Sequence, residues 1–276
     1  QGNANAGLFS NLERGTILKN HIDATKLVRE SELADSLDLI VWPENASDLD
    51  PLRSESARGA INKIAKDFNA PFTFGTITVD GDSVYNSTLL WSADGQLVDQ
   101  YDKKRPVPFA EFVPDRPFWR ALAPDLIDLV PRGYSFGTRD GIFELRDFTA
   151  GSLICFEIAI DSIPRELAAG GAQVILSQTN NADFGYSDQT YQQAAIAKLR
   201  AIETGRAVVN ISTVGLSAIY LPDGKVLNEL PWYQPGAMMN SVPLYSGLTP
   251  ALLIGGWIDA ILALFGLVAL VVLRRK

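Results

Sequence analysis

The sequence predicts a layered α/β sandwich, with helices packed outside two mixed sheets, followed by one membrane-spanning helix. Short apolar runs of strand length alternate with segments of helical periodicity through residues 1–245. Several strand pairs flank Gly-containing turns, which a simple βαβ series would not show. The stretch 251–273 is almost uninterrupted apolar sequence and is therefore treated separately from the sandwich.

The composition is that of a compact fold that can bury a substantial core. The 276 residues are 47% hydrophobic and include 15 Pro and 22 Gly. The formal net charge is −8, and no basic stripe with interleaved aromatic residues occurs. Nucleic acid is not expected as a partner.

The chain has one cysteine, Cys155, and one histidine, His21. These counts exclude an internal disulfide framework, Cys-rich zinc sites and the usual two- or three-histidine metal shells, so no metal cofactor is expected. Apolar residues recur at helical spacing over residues 15–35, and His21 is expected on the surface of that helix. Nucleophilic chemistry would then need a general base other than histidine.

The elements inside the predicted sandwich follow from periodicity and turn residues. Strands are expected at residues 37–41, 71–79, 84–91, 96–101, 142–145, 150–155, 174–177, 207–211, 217–220 and 226–230. Helices are expected at 54–68, 163–169 and 189–204, and a Pro-rich aromatic loop at 104–136. No repeat or long linker divides residues 1–245, so one domain with a short hinge at 246–250 is expected.

The segment 251–273 has the length of a transmembrane helix and is broken by a single acidic residue, Asp259. The basic residues 274–276 that follow are expected to stay in the cytoplasm, which places the domain on the extracytoplasmic side. A buried core helix and a disposable sorting tail are the alternatives. The sequence begins at Gln1 without the Met, basic n-region or apolar h-region of a signal peptide, so the chain is expected to be part of a longer protein with an upstream signal or membrane spans.

Three charged or nucleophilic side chains directly follow predicted strands, where active sites collect. They are Glu44, Lys103 and Cys155. Taken singly, Cys155 could be a core residue, Glu44 a solvated loop carboxylate, and Lys103 no different from its neighbour Lys104. Together they supply a thiol nucleophile, a carboxylate base and an ammonium that stabilises both thiolate and oxyanion. The backbone N–H of Phe156 is expected to be a second oxyanion donor.

At these residues the sequence resembles the nitrilase (carbon-nitrogen hydrolase) superfamily and, more narrowly, the extracytoplasmic domain of the apolipoprotein N-acyltransferase family. The motifs that carry the resemblance lie at residues 1–3, 42–44, 107–114, 154–157 and 247–250. The Val-Pro-Phe-x-Glu-Phe-Val-Pro run at 107–114 is the most specific of them. The resemblance implies a nitrilase-like α-β-β-α sandwich, a final membrane helix at 251–273 and further membrane helices upstream of residue 1.

The same resemblance implies roles for individual residues. Glu44 matches the general base, Lys103 the oxyanion-stabilising lysine and Cys155 the nucleophile. Two further acidic positions near the thiol match Glu111 and Glu157; the alternative for Glu111 is a salt bridge at the base of a loop, and Glu157 is expected to orient Lys103 through an ion pair. One more position near the site matches Asn86, whose alternative is a strand-end amide that satisfies backbone groups.

The resulting functional hypothesis is an N-acyltransferase at the outer face of a bacterial inner membrane. A phospholipid would donate a fatty acyl chain to Cys155, and a diacylglyceryl lipoprotein would accept it on its N-terminal amine. Apolar side chains in the loop 104–136 are expected either to enter the membrane interface or to cover the core. The alternatives are a membrane-tethered amidase, in which water resolves the thioester, and a non-catalytic binding domain.

Overall fold

The computed structural model describes residues 1–3, 13–30, 37–130 and 133–274. The sequence predictions for the rest of the helix at 15–35 and for the last two basic residues fall outside these ranges. Within them the elements group into two sheets and two sets of helices, as the sequence predicts.

The first sheet contains four strands of the N-terminal half. They are β1 (Ile40–Val41), β2 (Phe72–Asp80), β3 (Ser83–Trp91) and β4 (Leu97–Asp102). Their order is β1-β2-β3-β4; β1 pairs with β2 in parallel, and the other pairs are antiparallel. The predicted strand at 37–41 is shorter than expected, with ladder pairing over two residues.

The second sheet contains six strands of the C-terminal half. They are β5 (Ile142–Glu144), β6 (Thr149–Ile154), β7 (Val174–Thr179), β8 (Ala207–Ser212), β9 (Ser217–Tyr220) and β10 (Val226–Leu230). The order is β10-β9-β8-β7-β6-β5, with β6, β7 and β8 parallel and the outer pairs antiparallel. The parallel strands are buried almost throughout, as expected of strands covered on both faces.

Helices cover the outer face of each sheet. On the first sheet lie α1 (Thr16–Thr25) and α2 (Glu55–Phe68), which share one apolar core with Phe72 and Phe74 of β2. On the second sheet lie α5 (Ser162–Ala169) and α6 (Gln189–Thr204), which share another with β7, β8 and β9. The four layers are the predicted α-β-β-α sandwich.

The inner faces of the two sheets meet through a small apolar core and one buried amide. Leu90, Tyr101, Phe143, Ile154 and Cys155 form the apolar part. The amide of Gln178 donates to the carbonyl of Trp42 at 2.6 Å and accepts from Ser152 at 3.0 Å. The amide thereby joins the second sheet to the segment that follows β1.

His21 lies on α1, but the prediction that it faces solvent is wrong. Its side chain is buried against Trp42, with ring centroids 5.5 Å apart, and Nδ1 lies 2.9 Å from the carbonyl of Ile17. Burial removes the solvation of the charged form and lowers the pKa of His21 to about 3. Helical spacing gives the faces of a helix, and it does not say which polar residue faces the core.

The predicted loop at 104–136 contains two helices, α3 (Arg116–Leu122) and α4 (Pro124–Ile127). Both carry a proline in their first two positions. Proline is tolerated there because the first helical N–H groups have no intrahelical acceptor. The prolines therefore mark helix starts, and the sequence prediction of an irregular loop is wrong for this part.

The final helix, α7 (Pro250–Arg274), has 25 residues and is long and apolar enough to cross a membrane. At about 1.5 Å rise per residue its length exceeds the roughly 30 Å of a hydrocarbon core. The predicted hinge at 246–250 is bonded to the sandwich just before α7. The Thr249 hydroxyl donates to the carbonyl of Glu203 at the end of α6, and the Arg206 guanidinium donates to the carbonyl of Gly247.

Arg206 connects this segment to two helix ends. Its side chain is fully buried, and its guanidinium also donates to the carbonyls of Ala168, Ala172 and Thr204. Carbonyl groups at helix C-termini carry partial negative charge, so they stabilise this cation, for which no carboxylate lies within ion-pair distance among the described residues. The base of α7 is therefore held to α5 and α6 through one side chain.

We expect the substitution Arg206→Met to lower the free energy of unfolding by about 3 kcal/mol, because several buried carbonyls lose their donor. The matched control is Arg146→Met, since Arg146 is exposed. Thermal unfolding of the detergent-solubilised protein measures both. Equal melting temperatures for the two variants would contradict this role of Arg206.

Candidate active site

The ends of three strands bring Glu44, Lys103 and Cys155 together. Glu44 follows β1, Lys103 follows β4, and Cys155 follows β6, so both sheets contribute. Their exposed fractions are 4%, 1% and 8%. None of them is a solvated surface residue, and the two charged side chains are buried in the same place.

The segment that carries Glu44 runs tightly along β2. The N–H of Gly75 donates to the carbonyl of Pro43 at 3.0 Å, and the N–H of Ser47 donates back to the carbonyl of Gly75 at 3.1 Å. A Cβ at position 75 would lie 2.6 Å from the Cα of Glu44. Glycine is therefore required for this approach, which sets the height of the Glu44 carboxylate above the sheet.

The Lys103 ammonium lies between two carboxylates. Its Nζ is 3.5 Å from Oε1 of Glu44 and 2.9 Å from Oε2 of Glu111. The neighbouring Lys104 points elsewhere and pairs with Asp140 and Glu166 at 2.6 and 2.8 Å. The ambiguity between the two lysines in the sequence is resolved by the direction of their side chains at the end of β4.

Asn86 and Glu111 complete the arrangement around the ammonium. The Asn86 Nδ2 donates to Oε1 of Glu44 at 2.7 Å and to Oε1 of Glu111 at 2.9 Å. Glu111 also accepts the backbone N–H of Val107 at 2.7 Å. Glu111 thus forms a salt bridge at the base of its loop, and it also contacts the buried site. The loop salt bridge and the position near the thiol are therefore compatible.

Cys155 has an unusual backbone conformation. It is the first residue of a 3-10 turn, Cys155–Ala159, and its φ angle is 52°, in the left-handed region. A non-glycine residue in this region costs about 1–3 kcal/mol, and such residues cluster at functional sites. The sharp turn lifts the thiol from the end of β6 toward Glu44 and Lys103.

Burial and the neighbouring charges set the protonation of the three groups. Burial and the Glu44 charge raise the pKa of the Cys155 thiol to about 12, although Lys103 opposes this. Burial raises the pKa of Glu44, with Lys103 opposing and Glu111 assisting. For Lys103, burial alone would lower the pKa, but Glu44, Cys155 and Glu111 together raise it above its ordinary value. The resting site therefore holds a charged lysine and a protonated thiol.

Glu157 does not form the predicted ion pair with Lys103. Its carboxylate accepts the Tyr101 hydroxyl at 2.9 Å and the backbone N–H groups of Ile154 and Arg105 at 2.9 and 3.0 Å. Glu157 is fully buried, and burial raises its pKa. These bonds tie the turn after β6 to the segment after β4, so Glu157 positions the Cys155 and Lys103 backbones relative to each other.

Gln193 contacts the thiol, and the sequence patterns did not identify it as a site residue. Its Nε2 lies 3.5 Å from the Cys155 Sγ. Gln193 lies on the buried face of α6, whose other members include Ala194, Ala197 and Ala201. In the sequence, a glutamine at helical spacing from several alanines could have indicated this contact. Alanines mark the buried face of the helix, and a buried amide needs hydrogen-bond partners.

The described residues contain no group of three or more His, Cys, Asp and Glu side chains arranged to hold a metal ion. A cavity of about 320 Å³ opens elsewhere, lined by residues that include Leu39, Val174 and Met238, and none of the three central site residues lines it. The buried charges and the thiol therefore lie apart from this cavity.

The fold and the site define the class of protein. The chain matches the carbon-nitrogen hydrolase family over residues 10–246, and it belongs to that family. Among solved structures it is similar to a mutant of the amidase from Nesterenkonia AN1, of the nitrilase superfamily. The TM-score is 0.63 at 18% identity, over 85% of this chain and 86% of that one. At this identity the similarity supports the fold.

Curated relatives give a narrower match. The chain is 32% identical to an apolipoprotein N-acyltransferase of Mycolicibacterium smegmatis, over 99% of this chain and 47% of the relative. It is 29% identical to the apolipoprotein N-acyltransferase of Pseudomonas paraeruginosa, over 80% of this chain and 43% of the relative. The chain thus spans about half the length of the relatives that it matches.

We expect Gly75→Ala to lower the free energy of unfolding by about 2 kcal/mol, because the new methyl group displaces the segment that carries Glu44. The control is Gly59→Ala on the exposed face of α2, where a Cβ meets nothing within 4 Å. There alanine should raise stability by about 0.5–1 kcal/mol. Denaturant unfolding of both variants measures the difference, and opposite signs are the expected result; a stabilised Gly75→Ala variant would contradict it.

Proposed function

We propose that this chain is the catalytic and C-terminal membrane part of an N-acyltransferase that transfers a fatty acyl chain from phospholipid to the N-terminal amine of a lipoprotein. The observation that carries the proposal is the buried array of Glu44, Lys103 and Cys155. The similarity to apolipoprotein N-acyltransferases over nearly the whole chain supports the choice of substrates.

In the first half-reaction the Cys155 sulfur attacks the ester carbonyl of a phospholipid. Glu44 takes the thiol proton as the S–C bond forms, and the carbonyl oxygen becomes an oxyanion beside Lys103 and the N–H of Phe156. Collapse breaks the C–O bond of the ester. The leaving alkoxide takes the proton from Glu44 and departs as a lysophospholipid, which leaves the acyl chain as a thioester.

In the second half-reaction the lipoprotein amine attacks the thioester carbonyl, and Glu44 takes a proton from the nitrogen. Collapse of the tetrahedral intermediate breaks the C–S bond. The departing thiolate takes the proton back from Glu44, which yields the amide product and restores the thiol. Acid and base roles therefore alternate on one carboxylate, and a raised pKa suits Glu44 to both.

The apolar surface near Glu111 suits a lipid substrate. The segment from 109 to 129 contains Glu111 and exposes a set of large apolar side chains. They are Phe109, Phe118, Trp119, Leu122, Leu126 and Leu129. Exposed aromatic and aliphatic side chains of this kind partition into the membrane interface, so this surface supports acyl chains as the donor.

The proposed membrane arrangement divides the chain into a domain at 1–245, a connection at 246–250, a span at 251–273 and a basic tail at 274–276. The basic end of α7 would lie in the cytoplasm by the positive-inside rule, with the domain on the extracytoplasmic face of the inner membrane. The segment just before α7 is bonded to the sandwich, from Arg206 to the carbonyl of Gly247 and from Thr249 to the carbonyl of Glu203, and these bonds support a fixed distance between site and bilayer.

A membrane-tethered amidase is the second candidate, because the fold is similar to that of an amidase of the nitrilase superfamily. In that case water would attack the thioester, and the acyl group would leave as a carboxylic acid. The two candidates share the thioester and differ in its donor and in the group that resolves it.

The test of the proposed function uses the whole membrane-embedded protein and vesicles of a phospholipid with defined acyl chains. We expect the intact mass of the protein to increase by one acyl group, and the Cys155→Ala variant to gain none. Addition of a peptide with an N-terminal diacylglyceryl cysteine should discharge the adduct as N-acyl peptide. If no adduct forms while small amides are hydrolysed, the amidase is correct.

We expect Lys103→Met to slow adduct formation by about 100-fold or more, as loss of one oxyanion donor does in acyl-transfer enzymes. Lys104→Met is the matched control, since Lys104 pairs with Asp140 and Glu166 away from the thiol. It should change the rate by no more than a few-fold. Melting temperatures of both variants separate a loss of chemistry from a loss of folding; similar rates for the two folded variants would contradict the role of Lys103.

A further inference from the structure

We propose that the side-chain amide of Gln193 is a catalytic hydrogen-bond donor to the sulfur of Cys155, held in its donor orientation by a chain of bonds through Asn181 and Ser212. This rests on the proposed role of Cys155 as nucleophile. The donor stabilises the thiolate that forms when Glu44 takes the thiol proton, and again the thiolate that leaves the thioester.

The contact itself is direct and buried. The Gln193 Nε2 lies 3.5 Å from the Cys155 Sγ, and the side chain is 9% exposed. The charged groups that face this sulfur are Glu44, Lys103 and Glu111. Glu111, and Glu44 until it takes the thiol proton, oppose a negative sulfur, whereas Lys103 stabilises it, so a neutral N–H donor adds to the stabilisation that Lys103 provides.

The direction of the Gln193 amide depends on its other end. Its Oε1 accepts from Nδ2 of Asn181 at 2.5 Å. If the Gln193 amide were reversed, two NH₂ groups would face each other there and an oxygen would face the sulfur. Asn181 therefore selects the orientation in which an N–H, and not a carbonyl, contacts Cys155.

The direction of Asn181 is supported by two hydroxyl groups. The N–H of Gly215 donates to Oγ of Ser212 at 2.9 Å, and the Ser212 hydroxyl donates to Oδ1 of Asn181 at 2.8 Å. The Thr179 hydroxyl donates to the same oxygen at 3.4 Å. These bonds favour the orientation in which Asn181 Nδ2 faces Gln193 and a Gln193 N–H faces the sulfur.

The experiment measures alkylation of Cys155 by iodoacetamide in the detergent-solubilised full protein, followed as the mass of the Cys155 peptide. The rate reports the thiolate fraction and needs no acyl donor, so it tests Gln193 even if no acyl adduct is ever found. At neutral to mildly alkaline pH we expect Gln193→Leu to react about tenfold more slowly, the effect of one lost hydrogen bond to a charged sulfur. Gln192→Leu, on the exposed side of α6, should react like the parent protein.

A second variant separates the donor role from packing. Gln193→Met keeps the length and approximate volume of the side chain but offers no N–H to the sulfur. A donor role predicts that Gln193→Met reacts about as slowly as Gln193→Leu, whereas a packing role predicts a rate near that of the parent protein. Parent-like rates in either folded variant would overturn the proposal. If the Leu variant fails to fold, the rate of the Met variant against the parent decides.

Discussion

The site depends on one buried ammonium. Lys103 is almost completely inaccessible, and an unpaired ammonium in such a place would cost several kcal/mol. Glu44 and Glu111 offset that cost, and Asn86 bonds both carboxylates. The ammonium thus holds the segment after β1 and the loop that carries Glu111 against the ends of β3 and β4. The same charge is the natural neighbour of an oxyanion. The same charge therefore meets a structural demand and a proposed catalytic one.

The thiol is placed by different means. Cys155 comes from the second sheet and reaches the ammonium through a backbone turn in the left-handed region. Glu157 holds that turn by bonding Tyr101 and two backbone N–H groups. The sandwich thus brings a carboxylate and an ammonium from one sheet to a thiol from the other, and this arrangement exists only when the sheets are packed together. In the proposed function, the high pKa of the thiol suits proton transfer to Glu44 during attack better than a preformed thiolate.

A substrate that is nearly insoluble in water requires the site to lie at a constant distance from the bilayer. In the proposed function this is provided by the bonded start of α7, where Arg206 joins two helix C-termini to the connecting segment. The exposed apolar side chains of α3 lie in the chain directly after Glu111. In the proposed function, the lipid-contacting surface would therefore be adjacent in sequence to the ammonium site, which would link acyl-chain binding to the charges around Lys103.

The layered fold, most strand and helix positions and the apolar final helix could be predicted from the sequence, because periodicity is a local property. Strand-end position is local too, and it indicated Glu44, Lys103 and Cys155 as a candidate set. Which polar side chains turn inward became evident in the folded chain. His21 is buried where helical spacing predicted exposure, Glu157 bonds Tyr101 where an ion pair with Lys103 was expected, and Gln193 reaches the thiol from another helix. These contacts join residues far apart in the chain, and local patterns carry no information about which distant partner completes a hydrogen bond.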